Sequence, residues 1–169
     1  TDTNPSRIDS DFQKGVAILS NNGATNVTIS DNTITDGSDG VRIDLAGMGN
    51  VVSNNDISGM RKEGIIVKST SGTQVSDNTL RDNKKGVQVY DATNTVVDNN
   101  VMTNTESASV IVTKGSIGTS VTNNTIDGGL NGVVVSGGNN TLVSGNTITD
   151  ITDTNPSRID SDFQKGVAI

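Results

Sequence analysis

The stretch GIIVKSTSGTQVSDNTL, residues 64–80, holds the pattern on which the rest of the chain is built. It opens on Gly64 followed by the alternating pair Ile65 and Val67, and closes on Val75, Asn78 and Leu80. Runs this short, rich in β-branched residues and alternating with period two, read as strands and not as helices. The Ser, Thr, Gly and Asp residues between them read as turns. Both halves recur along the chain. The first, G-(V/I)-x-(V/I), appears as GVAI (15–18), GVRI (40–43), GIIV (64–67), GVQV (86–89), SVIV (109–112), GVVV (132–135) and GVAI again (166–169). The second appears as ISDNTI (29–34), VSNNDI (52–57), VSDNTL (75–80), VDNNVM (97–102), VTNNTI (121–126) and VSGNTI (143–148).

The two motifs keep one period. Asn32, Asn55, Asn78, Asn100, Asn124 and Asn146 follow one another at steps of 23, 23, 22, 24 and 22. A unit of about 23 residues with three short strands, none pairing with its neighbour in a hairpin, predicts one coil of a parallel β-helix. The expected fold is therefore all-β, a single-stranded parallel β-helix (solenoid) of about six coils. The coils stack at ~4.8 Å, the spacing between hydrogen-bonded strands.

Alternation assigns the faces. Val16, Val41, Ile65, Val87, Val110 and Val133 form one inward column, and Ile18, Ile43, Val67, Val89, Val112 and Val135 a second. Ile29, Val52, Val75, Val97, Val121 and Val143 form a third, and Ile34, Ile57, Leu80, Met102, Ile126 and Ile148 a fourth. The Asn column lies between the last two, at a corner. An amide both donates and accepts, so stacked Asn side chains are expected to bond along the axis as a structural ladder, in preference to a ligand-binding row. The Gly before each strand is read as a turn residue with positive φ.

Composition limits the function. Hydrophobic residues make up 31% of the 169 and aromatics 2%, which suits a thin core of Val and Ile better than a thick one. A net charge of −7 argues against nucleic acid as a partner, since phosphate neutralisation needs surplus Lys and Arg. The chain has neither Cys nor His, which removes thiolate and imidazole ligands and the commonest general base. No metal site, cofactor or membrane insertion is expected. Sequons stand at Asn26, Asn123 and Asn139, as chance allows in so Asn- and Thr-rich a chain.

The repeats resemble those of the pectate-lyase-like superfamily of β-helices, which includes NosD-like and carbohydrate-binding surface proteins and the mannuronan C5-epimerase catalytic module. The resemblance covers roughly residues 15–150 and rests on the G-(V/I)-x-(V/I) and N-x-(I/L) steps. It implies a right-handed coil and an extracellular or cell-surface polysaccharide context. The epimerase D-P-H motif is absent, as is the calcium-binding nonapeptide repeat.

Residues 1–18, TDTNPSRIDSDFQKGVAI, return unchanged as residues 152–169. The chain divides accordingly into a duplicated loop segment (1–14), the β-helix coils (15–151) and the second copy (152–169), which is loop plus the start of a next coil. An identical copy points to a tandem array or a designed sequence whose ends are interchangeable. Copies of the chain stacking end to end into a fibre are the leading expectation, since added strands satisfy open edges. The inserted loop carries Arg158, Asp160, Asp162, Phe163 and Lys165, with copies Arg7, Asp9, Asp11, Phe12 and Lys14. These types suit a grip on a sugar acid, ring on pyranose and cation on carboxylate, or a loop tucked over a coil.

An alternative is a fragment of a uronic-acid polysaccharide lyase or epimerase. The residues following the G-(V/I)-x-(V/I) strands read Leu19, Asp44, Lys68, Tyr90, Thr113 and Ser136, and Arg42 shares their outward face. Such chemistry needs a cation for the carboxylate, a base and an acid, roles that Arg42, Lys68 and Tyr90 would fill beside Asp44. The simpler reading is an Asp44–Lys68 ion pair beside an exposed Tyr. The charge clusters Arg61-Lys62-Glu63 and Lys84-Lys85 read as solvated turn residues. A noncatalytic carbohydrate-binding module is the third expectation.

Overall fold

The structure, a computed structural model, describes residues 15–152. They form sixteen strands, numbered in chain order, that wind into a β-solenoid of about six coils with every strand pair parallel. One face carries β1 (Val16–Asn21), β4 (Asp39–Asp44), β7 (Glu63–Lys68) and β10 (Lys85–Tyr90). A second carries β2 (Thr28–Ser30), β5 (Val51–Ser53), β8 (Gln74–Ser76), β11 (Val96–Asp98), β13 (Ser120–Thr122) and β15 (Leu142–Ser144). The third carries β3 (Thr33–Thr35), β6 (Asp56–Ser58), β9 (Thr79–Arg81) and β16 (Thr147–Thr149). In two coils the third and first faces merge into the long strands β12 (Val101–Thr113) and β14 (Thr125–Ser136), which share a bulge between Thr105 and Ala108.

The core is the stack of inward columns. Val52, Val75, Val97 and Val121 are fully buried on the second face, and Ile57, Leu80, Met102 and Ile126 are buried on the third. Fully burying each such side chain contributes roughly 1.5–3 kcal/mol, and each lies directly on its counterpart one coil away. On the first face the registry differs from the sequence pattern in one coil. Ile18 pairs with Val41 and Ser20 with Ile43, while Val16 pairs with Asp39. The first coil is thus displaced by two residues relative to its motif. Period-two alternation makes such a slip invisible to the pattern, because inward residues stay inward.

The glycines of this face also differ from expectation. Gly40, Gly64 and Gly86 are strand residues without positive φ. What they require is space, since a Cβ on Gly40 would lie 2.6 Å from the Gly64 carbonyl oxygen, and one on Gly64 would lie 2.6 Å from Leu80 Cδ2. The left-handed turns fall mainly to Asn and Asp. Asp31, Asn54, Asp77, Asn99 and Asn123, with φ between 53° and 60°, each precede a ladder Asn and bend the chain at that corner. Short polar side chains bond locally and tolerate this region better than others.

Candidate functional site

Three polar columns run along the solenoid, two inward and one outward. The first inward one is the Asn ladder. Asn32 Nδ2 donates to Asn55 Oδ1 at 2.9 Å, Asn55 to Asn78 at 2.9 Å, Asn78 to Asn100 at 2.9 Å, Asn100 to Asn124 at 3.0 Å and Asn124 to Asn146 at 2.9 Å. Each receiving Oδ1 also accepts the backbone N–H of the previous Asn, as in Asn78 N–H to Asn100 Oδ1 at 3.0 Å. Each Nδ2 from Asn55 onward donates as well to a carbonyl of the preceding coil, as Asn78 does to Val52 O at 2.9 Å. An amide bonded on every side has little left for a ligand.

A second inner column escaped the sequence reading, although its signal was present. Five residues before the ladder Asn stand Asn50, Thr73, Thr95, Thr119 and Thr141. Thr73, Thr95 and Thr119 are fully buried, and their hydroxyls have no partner among the described residues. Asn83 occupies a further corner, where its Oδ1 accepts from Met60 N–H and its Nδ2 donates to Ile57 O.

The outer column holds the residues singled out for catalysis. Asp44, Lys68, Tyr90, Thr113 and Ser136 face one another on successive strands, and Asn21, not Leu19, stands opposite Asp44. Leu19 falls in the Arg42 column as a result of the two-residue displacement. The Arg42 guanidinium donates through Nε and Nη2 to Asp44 Oδ2 at 3.2 and 3.1 Å, and through Nη1 to Asp39 Oδ2 at 3.3 Å. Lys68 Nζ reaches the same Asp44 oxygen at 3.5 Å. Lys68 and Lys114 ammonium groups lie 6.0 and 5.9 Å from the centroid of the Tyr90 ring. The structure therefore brings Arg42, Asp44, Lys68 and Tyr90 together, but commits Arg42 to two carboxylates of its own strand. A substrate carboxylate would have to displace them.

The charge cluster extends beyond those four residues. Glu63 and Lys85 are strand residues of β7 and β10, not solvated turn residues, and bond to each other at 2.8 Å. Lys85 also donates to Gln88 at 3.1 Å. Asp39 is buried beside Glu63. Its carboxyl is pushed above the usual range, first by burial and then by the charge and hydrogen bond of Glu63, against the opposing pull of Arg42 and Lys62. Next to this cluster, Val16, Leu19, Asn21, Asn22, Arg42, Asp44 and Leu45 line a cleft of about 80 Å³. Small-molecule pockets are usually of roughly 300 Å³ or more. No cluster of three or more metal-ligating side chains is present among the described residues. Arg158, Asp160, Asp162, Phe163 and Lys165, together with the 1–14 and 153–169 segments, lie outside the described residues.

Stacked parallel coils, a continuous aliphatic core and an inward Asn ladder define a parallel β-helix. Residues 3–126 match the family described as right-handed beta helix region, and the chain belongs to that family. Among solved structures it is similar to one described as the crystal structure of the periplasmic alginate epimerase AlgG. The identity is 14% and the TM-score 0.42, over 75% of this chain and 43% of that one. This chain thus spans less than half the length of that protein. No curated protein matches the sequence.

Proposed function

We propose that this chain is a structural, noncatalytic β-helix module that extends by stacking end to end with further copies of itself in an extracellular or cell-surface fibre. The observation that carries this reading is the contrast between the inner coils and the last described coil, in a chain that repeats residues 1–18 as 152–169. Strands β5 and β6 bury their central residues, whereas β15 and β16 leave theirs half-exposed. A coil with one open side presents backbone groups and aliphatic surface in the same geometry that neighbouring coils already satisfy. The outer charges support the same reading, because Arg42, Asp44 and Lys68 are paired with one another. Negative-stain microscopy of the intact chain should show unbranched rods lengthening with concentration. Uniform small particles at every concentration would overturn the proposal.

A second reading has one observation in its favour, the Tyr90 ring flanked by the Lys68 and Lys114 ammonium groups. A ring with cations beside it suits a carboxylated sugar, either as a binding face or as a fragment of a lyase or epimerase. The stacking reading expects no unsaturated ends and no solvent deuterium at C5 after incubation with alginate or pectate. Appearance of either, with loss in Lys68→Ala at unchanged thermal stability, would establish the enzyme instead.

A further inference from the structure

The Asn ladder has a direction, and the direction specifies how one copy meets the next. Every link runs the same way, with Nδ2 and backbone N–H of one Asn donating to Oδ1 of the Asn one coil further on. The reverse bond runs from Nδ2 back to the carbonyl three residues before the preceding ladder Asn, as in Asn55 to Ile29 O, Asn100 to Val75 O and Asn146 to Val121 O. The two ends of the ladder are therefore chemically different. Among the described residues nothing donates to Asn32 Oδ1, and Asn146 Nδ2 donates only to Val121 O and Ser144 O. The inner members Asn55, Asn78, Asn100 and Asn124 are buried, whereas Asn32 and Asn146 are only half-buried. One end offers an acceptor and the other offers donors.

We infer that the partner of each end is the opposite end of a second copy, with the ladder running unbroken across the junction. This rests on the end-to-end reading above and deepens it. Asn146 Nδ2 and N–H of one copy donate to Asn32 Oδ1 of the next, and Asn32 Nδ2 of that copy donates back to Val143 O. The same placement sets Ile29 on Val143 and Ile34 on Ile148, continuing two core columns. Two like ends cannot do this, since acceptor would face acceptor or donor would face donor. The contact is heterologous and translates along the axis, so it yields an open filament and not a closed dimer.

The register gives a test that leaves the core intact. Thr33 and Thr147 are exposed and occupy the same outward column, through Thr33 with Asp56, Asp56 with Thr79, Thr79 with Val101, Val101 with Thr125 and Thr125 with Thr147. Across the proposed junction their Cα atoms sit at about the inter-strand spacing of ~4.8 Å, within the range a disulfide spans. The chain has no Cys, so any crosslink is assignable. Full-length Thr33→Cys and Thr147→Cys chains are each checked by circular dichroism for a native fold, then oxidised separately and as a mixture. The expected result is a covalent dimer in the mixture and almost none in either chain alone. Crosslinking within a single-variant solution would mean that like ends meet, which overturns the inference and leaves self-association standing. Concentration-dependent growth of the wild type with no crosslink in any sample would mean a different register, and also overturns it. A wild type that never grows would remove the stacking reading itself.

Discussion

The inner Asn column and the outer Asp44–Lys68–Tyr90 column are built on the same strand spacing, yet they are used in opposite ways. The inner one repeats a single residue that both donates and accepts, so one bond pattern serves every coil from Asn32 to Asn146. The outer one changes residue at every coil and closes only local contacts, Arg42 with Asp44, Lys68 with Asp44 and Lys68 with Tyr90. In this solenoid, the polar residue that recurs at the coil period is taken up by bonds between coils. The residues that differ from coil to coil, Asp44, Lys68 and Tyr90, are the ones whose contacts are particular to one place.

The largest expected effect breaks the inner column at its centre. Asn78→Ala removes donors to Val52 O, Ser76 O and Asn100 Oδ1, and strands the Asn55 groups that Asn78 accepted. Buried groups left unpaired at this density should cost about 3 kcal/mol in urea unfolding of dilute, unassociated chains, against about 1 kcal/mol for Asn32→Ala at the end of the ladder. Equal losses at the two positions would contradict a directional ladder. On the outer column, Asp44→Ala leaves Arg42 and Lys68 without their shared carboxylate and should cost about 2 kcal/mol. A loss larger than that of Asn78→Ala would reverse the ranking of the two columns.

Asp39 sharpens the comparison through pH. Its carboxyl titrates above the unfolded value because it is buried beside Glu63, so the folded chain binds that proton more tightly than the unfolded chain does. The associated stability is fully present below the unfolded pKa and is lost as pH rises through the folded one. Asp39→Asn, neutral at every pH, should raise the melting temperature at pH 7, with the gain shrinking as pH falls toward 4. A gain that grows on acidification would be inconsistent with the burial. The smallest effect is expected at Arg81, whose bond to Asp56 at 2.7 Å joins two well-exposed side chains. Arg81→Ala should change stability by less than about 0.5 kcal/mol and less still in high salt.

Much of this architecture was legible in the sequence because the coil period is carried twice, by the strand motif and by the Asn step. The inward aliphatic columns follow from alternation within each strand, and the ladder from an Asn that recurs at the coil period beside a corner. What was not legible is registry where the pattern is degenerate. Val16 and Ile18 both satisfy the inward period, and only the packing of coil on coil selects Ile18 opposite Val41. Strand extent was obscured as well. Lys85 and Glu63 look like turn charges in sequence, but each lies at the first position of a strand, where an ion pair across coils is available. The buried Thr column recurs at the coil period but does not stand out in the sequence, because Thr is frequent in the turns as well. The duplicated segment with Phe163 is legible as a repeat but not as a shape, since its residue types suit several placements.

The central claim, that this is a β-helix built to continue into another copy, is tested most directly by sedimentation velocity of the intact chain from low to high micromolar concentration at neutral pH. The account predicts a sedimentation coefficient that climbs with concentration and a frictional ratio that climbs with it, as rods lengthen along one axis. A single, concentration-independent monomer across that range would contradict it.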